Sequence, residues 1–224
     1  MEELINNHIA VMNAVNPQQW VQLVVDEWGT WYDVEPGTNP GFLYQQNTMR
    51  DAIVAALTLN IFNKHSDRII MANIAQTVNV LQAVILTEAD KMVLTPTYHV
   101  FKMYKDHQDN TLIGSYLTTD NIESKEIKRS CPQLIESASV DENGIIYSTV
   151  TNVSATKASK IKCQIADTRV KRIKAEILFG DIHSKNDFDN TDLVKTVEFT
   201  DFKKHSDGFT ADIPPCSVVK FIIE

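Results

Sequence analysis

Leu23-Val24-Val25-Asp26-Glu27-Trp28-Gly29-Thr30-Trp31-Tyr32 decides how this chain is read. A short apolar run ends in two carboxylates and opens into indoles, a glycine and a phenol. Apolar runs without alternation suit a strand buried on both faces of a parallel sheet. A carboxylate at the C-terminal end of such a strand is where a (β/α) barrel keeps its chemistry. Aromatic rings beside it suit the C–H faces of a sugar. Glu27 therefore leads the candidate catalytic residues. On the residues alone, a strand-end glutamate in a surface ion pair remains the plainer reading.

Upstream, Leu4, Ile5, Ile9, Met12 and Val15 recur at helical spacing and predict a helix that Pro17 stops. The strand is expected over Val21 to Val25. Downstream, Asp33 to Leu43 carries Pro36-Gly37 and Pro40-Gly41 and is long for a connection, which marks a candidate functional loop. Met49, Ala52, Ile53, Ala56, Leu57 and Asn60 pattern a second helix. Ile69-Ile70-Met71-Ala72 reads as a second buried strand, and Asn73 to Val80 as the amide-rich segment leaving it. Thr95-Pro96 predicts a helix start, with Val100, Met103, Tyr104 and His107 on one face. The order α, β, α, β, α implies right-handed crossovers in a parallel sheet.

Beyond Asp109 the character changes. Leu134 to Val140, Ile145 to Val150, Lys160 to Ile165, Ala175 to Phe179 and Ser217 to Ile223 are strand-like runs at the spacing of an all-β sandwich. Asp141-Glu142-Asn143-Gly144 supplies a hairpin turn. The fold class expected is therefore α/β followed by all-β: the last units of an incomplete barrel over residues 1–112, then an antiparallel sandwich over 113–224. The boundary falls within Asp109 to Ser130. Two strands cannot close a barrel, and an isolated pair would leave unpaired edges. The remainder is expected before Met1, because Ser217 to Ile223 reads as a natural last strand.

A formal charge of −8 argues against nucleic acid or an anionic membrane as partner, since both select basic surfaces. The start, Met1 to His8, is acidic and polar where a secretion signal needs a basic patch and an apolar core. That leaves the compartment open. Cys131, Cys163 and Cys216 are odd in number and far apart, so they suit neither a disulfide framework nor a zinc site. No metal and no cofactor is expected.

His65-Ser66-Asp67 invites a catalytic-triad reading, which fails because triads are assembled from separated positions and not from one turn. His99 and His107 lack acidic partners at metal-ligand spacing, and His183 and His205 are expected in solvated loops. Trp28 and Trp31 suit either a sugar site or core packing, and the residues do not choose between them. Asp26, one position from Glu27, points the other way along a strand.

Val25 to Tyr32 resembles the nucleophile segment of the α-L-arabinofuranosidases of glycoside hydrolase family fifty-one. So do His65-Ser66-Asp67-Arg68, with Ser66 where the family usually has Ala, and Ala72 to Val80, which matches the end of the last barrel strand. The likeness continues through Thr95 to Phe101 and, by pattern more than motif, into the β half. The resemblance implies a retaining hydrolase that releases terminal arabinofuranosyl groups from arabinan or arabinoxylan-type saccharides. It implies Glu27 as nucleophile, Gln76 as a hydrogen-bonding contact to the bound arabinose, and homo-oligomers as the common state of its members. The family's acid/base is a Glu following Asn on barrel strand four, and no Asn-Glu pair occurs here. The chain alone is therefore expected to be inactive. Two rivals remain: a non-catalytic sandwich with a structural or carbohydrate-associated role, and a different retaining barrel glycosidase. The β half has its aromatics thinly spread at Tyr147, Phe179, Phe188, Phe199, Phe202 and Phe209, which disfavours a sugar platform there.

Overall fold

A computed structural model describes residues 1–124 and 126–224. The first half runs α1 (Glu2–Val15), β1 (Leu23–Val25), α2 (Met49–Lys64), β2 (Ile69–Ala72), a hairpin of β3 (Ile85–Glu88) and β4 (Lys91–Leu94), and α3 (Pro96–Tyr104). Then come β5 (Thr111–Ile113), β6 (Asn121–Ser124), β7 (Arg129–Pro132), β8 (Leu134–Val140), β9 (Ile146–Asn152), β10 (Ser159–Gln164), β11 (Ile173–Phe179), β12 (Val197–Glu198), β13 (Phe202–His205), β14 (Gly208–Ile213) and β15 (Ser217–Ile223). The architecture is the end of a (β/α) barrel followed by an antiparallel β-sandwich.

Strands β1 and β2 pair in parallel, with Val25 opposite Ala72. Helix α2 makes the crossover between them. Its start is a capping box: Thr48 and Asp51 exchange side-chain and backbone hydrogen bonds across the first turn, and Lys64 stands in the last turn against the helix dipole. Ten of its residues are buried on more than one face, the mark of a helix with a layer on each side. Helix α3 starts at Thr95-Pro96 as expected, but the Thr95 hydroxyl does not cap it. That hydroxyl donates instead to the carbonyls of Ala83 and Val84, 2.9 Å from each, and so ties α3 to the hairpin strand.

The sandwich packs a six-stranded sheet, in order β12-β11-β15-β9-β8-β5, on a three-stranded sheet, β10-β14-β13. Strand β15 is central, and its alternation divides two cores. Val219, Phe221 and Ile223 face the second sheet, where Phe209 lies 4.3 Å from Phe221 between ring centroids and Phe199 and Phe202 complete the cluster. Val218 faces the helices and joins the core built by Trp28, Met49, Ile53, Phe62 and Met103. The helices therefore lie directly on the sandwich.

That contact is largely polar. Asn60 on α2 accepts from the hydroxyls of Ser137 and Thr149, both at 2.8 Å, and donates to the Ile135 carbonyl and the Thr151 hydroxyl. Its full hydrogen-bonding capacity is met without water. His107 sits with Nδ1 2.8 Å from Ser139 Oγ and Nε2 3.1 Å from Thr149 Oγ1. Burial, opposed by Asp106 and seconded by Lys220, lowers its pKa to about 4. Lys220 on β15 contacts Asp106 at 2.7 Å and Glu176 at 2.6 Å. Burial works against its charge, but those two carboxylates hold its pKa above the ordinary value.

Strand β5, the first of the larger sheet in chain order, runs over Thr111–Ile113, inside the span expected for the boundary. One expectation needs amending. His205 does not lie in a solvated loop: it is half-buried in β13, with Nε2 3.3 Å from Thr210 Oγ1, because β13 is the edge of the smaller sheet.

Candidate active site

Strands β1 and β2 run the same way, so the segments leaving both open on one face. The last ladder bond between them is Asn73 N–H to the Val25 carbonyl, at 2.8 Å. Beyond it Asp26 and Glu27 leave one strand, and Ile74, Ala75 and Gln76 leave the other. Glu27 and Gln76 are both exposed. Asp26 is exposed too and accepts a hydrogen bond from Asn73 Nδ2 at 3.2 Å, which links the two strand ends by side chain.

The indoles part company. Trp28 is 5% exposed, stacked on Phe101 and struck edge-on by Phe62. Trp28 is thus packed in the core, the second of the two readings its sequence left open. Glu27 and Trp28 both lie past the last residue of β1, where Asp26 and Glu27 are exposed and Trp28 turns inward. Trp31 is 63% exposed and keeps an open ring.

The segment after Trp28 is pinned to the start of α2. Asp51, already part of the capping box, also accepts from the Thr30 hydroxyl and pairs with Arg50 at 3.2 Å. The Arg50 guanidinium lies 3.5 Å over the Tyr32 ring, a cation–π contact. Burial raises the Tyr32 phenol's pKa, against the pull of that cation. Gln45 completes the brace, accepting from Tyr32 N at 2.6 Å and donating to the Thr30 carbonyl. Sequence reasoning missed this group, although Thr48-x-x-Asp51 carries the capping-box signature that marks half of it.

The long loop from Asp33 to Leu43 is fixed near its ends by backbone hydrogen bonds. Glu35 N–H donates to the Tyr44 carbonyl at 2.9 Å, and Leu81 N–H to the Leu43 carbonyl at 3.0 Å. The loop is thereby tied to the segment leaving β2, with Phe42 exposed on its short 3₁₀ turn. Glu27, Gln76 and Trp31 are all exposed in the segments that leave the two strands. A carboxylate, an amide and an aromatic face are groups that suit a polyhydroxylated ring.

Apolar groups of the two strands are uncovered as well. Among the described residues neither outer edge of the parallel pair carries another strand. Val24, Ile70 and Met71 are 45%, 58% and 52% exposed, and since Ile70 and Met71 are consecutive, both faces of β2 are open.

Residues 26–217 match the family model described as the α-L-arabinofuranosidase C-terminal domain. The chain is 42% identical over 98% of its length to an intracellular exo-α-L-arabinofuranosidase of Bacteroides ovatus, and spans 43% of that protein. It superposes with a TM-score of 0.96 and 41% identity on a family-fifty-one arabinofuranosidase of Xanthomonas axonopodis, covering all of this chain and 45% of that one. Against the Thermotoga maritima α-L-arabinofuranosidase, determined as an arabinose complex, the TM-score is 0.82 at 25% identity, over 99% of this chain and 48% of that one. The chain spans less than half the length of each of these relatives. It belongs to the α-L-arabinofuranosidases of glycoside hydrolase family fifty-one, whose C-terminal portion it represents.

Proposed function

We propose that this chain carries the nucleophile half of a retaining α-L-arabinofuranosidase, and that a complete barrel is needed for turnover. One observation carries the reading: Glu27 is exposed just past the C-terminal end of a parallel strand, beside a segment that leaves the neighbouring strand with Gln76 exposed. In a barrel this is the catalytic face. The open edges and uncovered apolar residues of β1 and β2 support the need for further strands. So does the length of the relatives.

The mechanism follows from two carboxyl groups about 5–5.5 Å apart across the glycosidic bond. A Glu27 oxygen attacks the anomeric carbon as the bond to the leaving oxygen breaks. That oxygen takes a proton from a carboxylic acid supplied by the rest of the barrel. The resulting carboxylate then removes a proton from water, which attacks the same carbon and releases Glu27. Two inversions give net retention. Gln76 offers a donor and an acceptor to sugar hydroxyls, and Trp31 offers a ring face. The sandwich serves as a structural base, because its hydrogen bonds to α2 and α3 brace the helices behind the site.

The test is a chimera in which the N-terminal portion of the Bacteroides ovatus relative is fused before this chain. An aryl α-L-arabinofuranoside should be hydrolysed by the chimera and not by the chain alone. Turnover by the chain alone, abolished in Glu27→Gln, contradicts the need for a complete barrel.

A further inference from the structure

We propose that Gln82 is a positioning residue that sets the spacing between the segment bearing Glu27 and the segment bearing Gln76. The inference rests on the glycosidase reading for its effect on rate, but its geometry stands apart from it. Past the bond from Asn73 N–H to the Val25 carbonyl, no backbone hydrogen bond joins the two segments among the described residues. The side-chain amide of Gln82 spans the gap. Its Nε2 donates to the carbonyl of Ala75, the residue before Gln76, and lies 3.4 Å from the carbonyl of Trp28, the residue after Glu27. A primary amide has two N–H donors, so one group serves both carbonyls.

Gln82 is itself held firmly. It is 3% exposed, and its backbone carbonyl accepts from Asn47 Nδ2 at 3.0 Å. Asn47 in turn bonds the Thr97 hydroxyl at 2.7 Å and the Thr97 N–H at 3.2 Å, which anchors the cluster to the first turn of α3. The preceding residue, Leu81, adopts a left-handed backbone and is tied to Leu43. Gly29 completes the fit: a Cβ there would stand 2.8 Å from Gln82 Nε2, and its φ of +119° is one that other residues rarely adopt. Glycine lets the amide reach across.

Three substitutions test this. Gln82→Met keeps length and removes both donors, Gln82→Glu keeps shape and puts a carboxylate against two carbonyls, and Gly29→Ala pushes on the amide from the exposed side. In the chain alone, Gly29→Ala should move the backbone amide resonance of Gln76, in the other segment, while that of Val219 in the sandwich stays put. Gln82→Met should move the resonances of both Gly29 and Gln76. In the chimera, Gln82→Met should lower kcat by about 10²-fold with a cooperative unfolding transition retained, since small misplacements of reacting groups cost that much. Gln82→Glu should be worse than Gln82→Met, whereas a space-filling role would favour the isostere. Unmoved Gln76 resonances in Gly29→Ala, or kcat within about twofold of the parent in Gln82→Met, overturn the proposal. An inactive parent chimera would count against the role of Glu27, and the resonances would still decide that of Gln82.

Discussion

Strand β15 has a neighbour on each edge and a packed layer on each face, whereas β2 has one neighbour and, at Ile70 and Met71, neither face covered. The two strands are alike in apolar content, so their different states come from what surrounds them. Where the sandwich meets the helices, polar groups are matched: Asn60 by Ser137, Thr149 and Thr151, and Lys220 by Asp106 and Glu176. In the barrel half, Glu27 and Gln76, the groups proposed to act on the sugar, are exposed. Covering Val24, Ile70 and Met71, about half exposed, is worth roughly 1 kcal/mol apiece. The half proposed to hold the site is the half whose own burial is incomplete.

The largest way to sharpen that contrast is Glu27→Gln in the chimera. Steady-state kinetics should show a rate loss of roughly 10⁴-fold, about 5 kcal/mol of transition-state stabilisation. The denaturation midpoint should not move, because the side chain is exposed. Trp28→Ala reverses the pattern. Removing a buried indole from between Phe62 and Phe101 should cost about 3–5 kcal/mol in a urea titration of the chain.

Acid should open the seam between the helices and the sandwich. The folded pKa of His107, about 4, lies below its ordinary 6.5, so the native state prefers the neutral ring. Its contribution is intact above pH 6.5 and is lost as the pH falls through 4, a total of about 3 kcal/mol at 1.36 kcal/mol per pH unit. Lys220 and Tyr104 also stand near the ring, and both pKa values are raised above their ordinary ones, so neither loses its proton in that window. Urea midpoints measured from pH 7 to pH 4 should fall, and His107→Gln should flatten the slope. The smallest stability effect belongs to Trp31→Ala, under about 0.5 kcal/mol for an exposed side chain. It should instead raise KM by about tenfold in the chimera, which separates the two indoles by function.

Much of this fold was legible in the residues. Ile69–Ala72, Leu134–Val140 and Ser217–Ile223 stand where the apolar runs put them. The hairpin from Ile85 to Leu94 was not foreseen, because its turn at Ala89-Asp90 lacks the glycine that usually marks one. Ser137, Ser139, Thr149 and Thr151 have the spacing of a solvated strand face, yet α2, α3 and the turn after α3 cover them. Alternation distinguishes the faces of a strand without saying what packs on either. Trp28 shows the same limit, since no pattern separates an indole in a site from one behind it. Gln82 gave no signal, because its role lies in two carbonyls brought near it only by the fold.

The most direct measurement is covalent trapping. An arabinofuranosyl donor with fluorine at C2 and a good leaving group should form the glycosyl-enzyme readily and release it slowly. Peptide mapping of the chimera by mass spectrometry should find one arabinosyl unit on Glu27, and none in Glu27→Gln. An adduct on another carboxylate, or undiminished turnover in Glu27→Gln, would contradict the account.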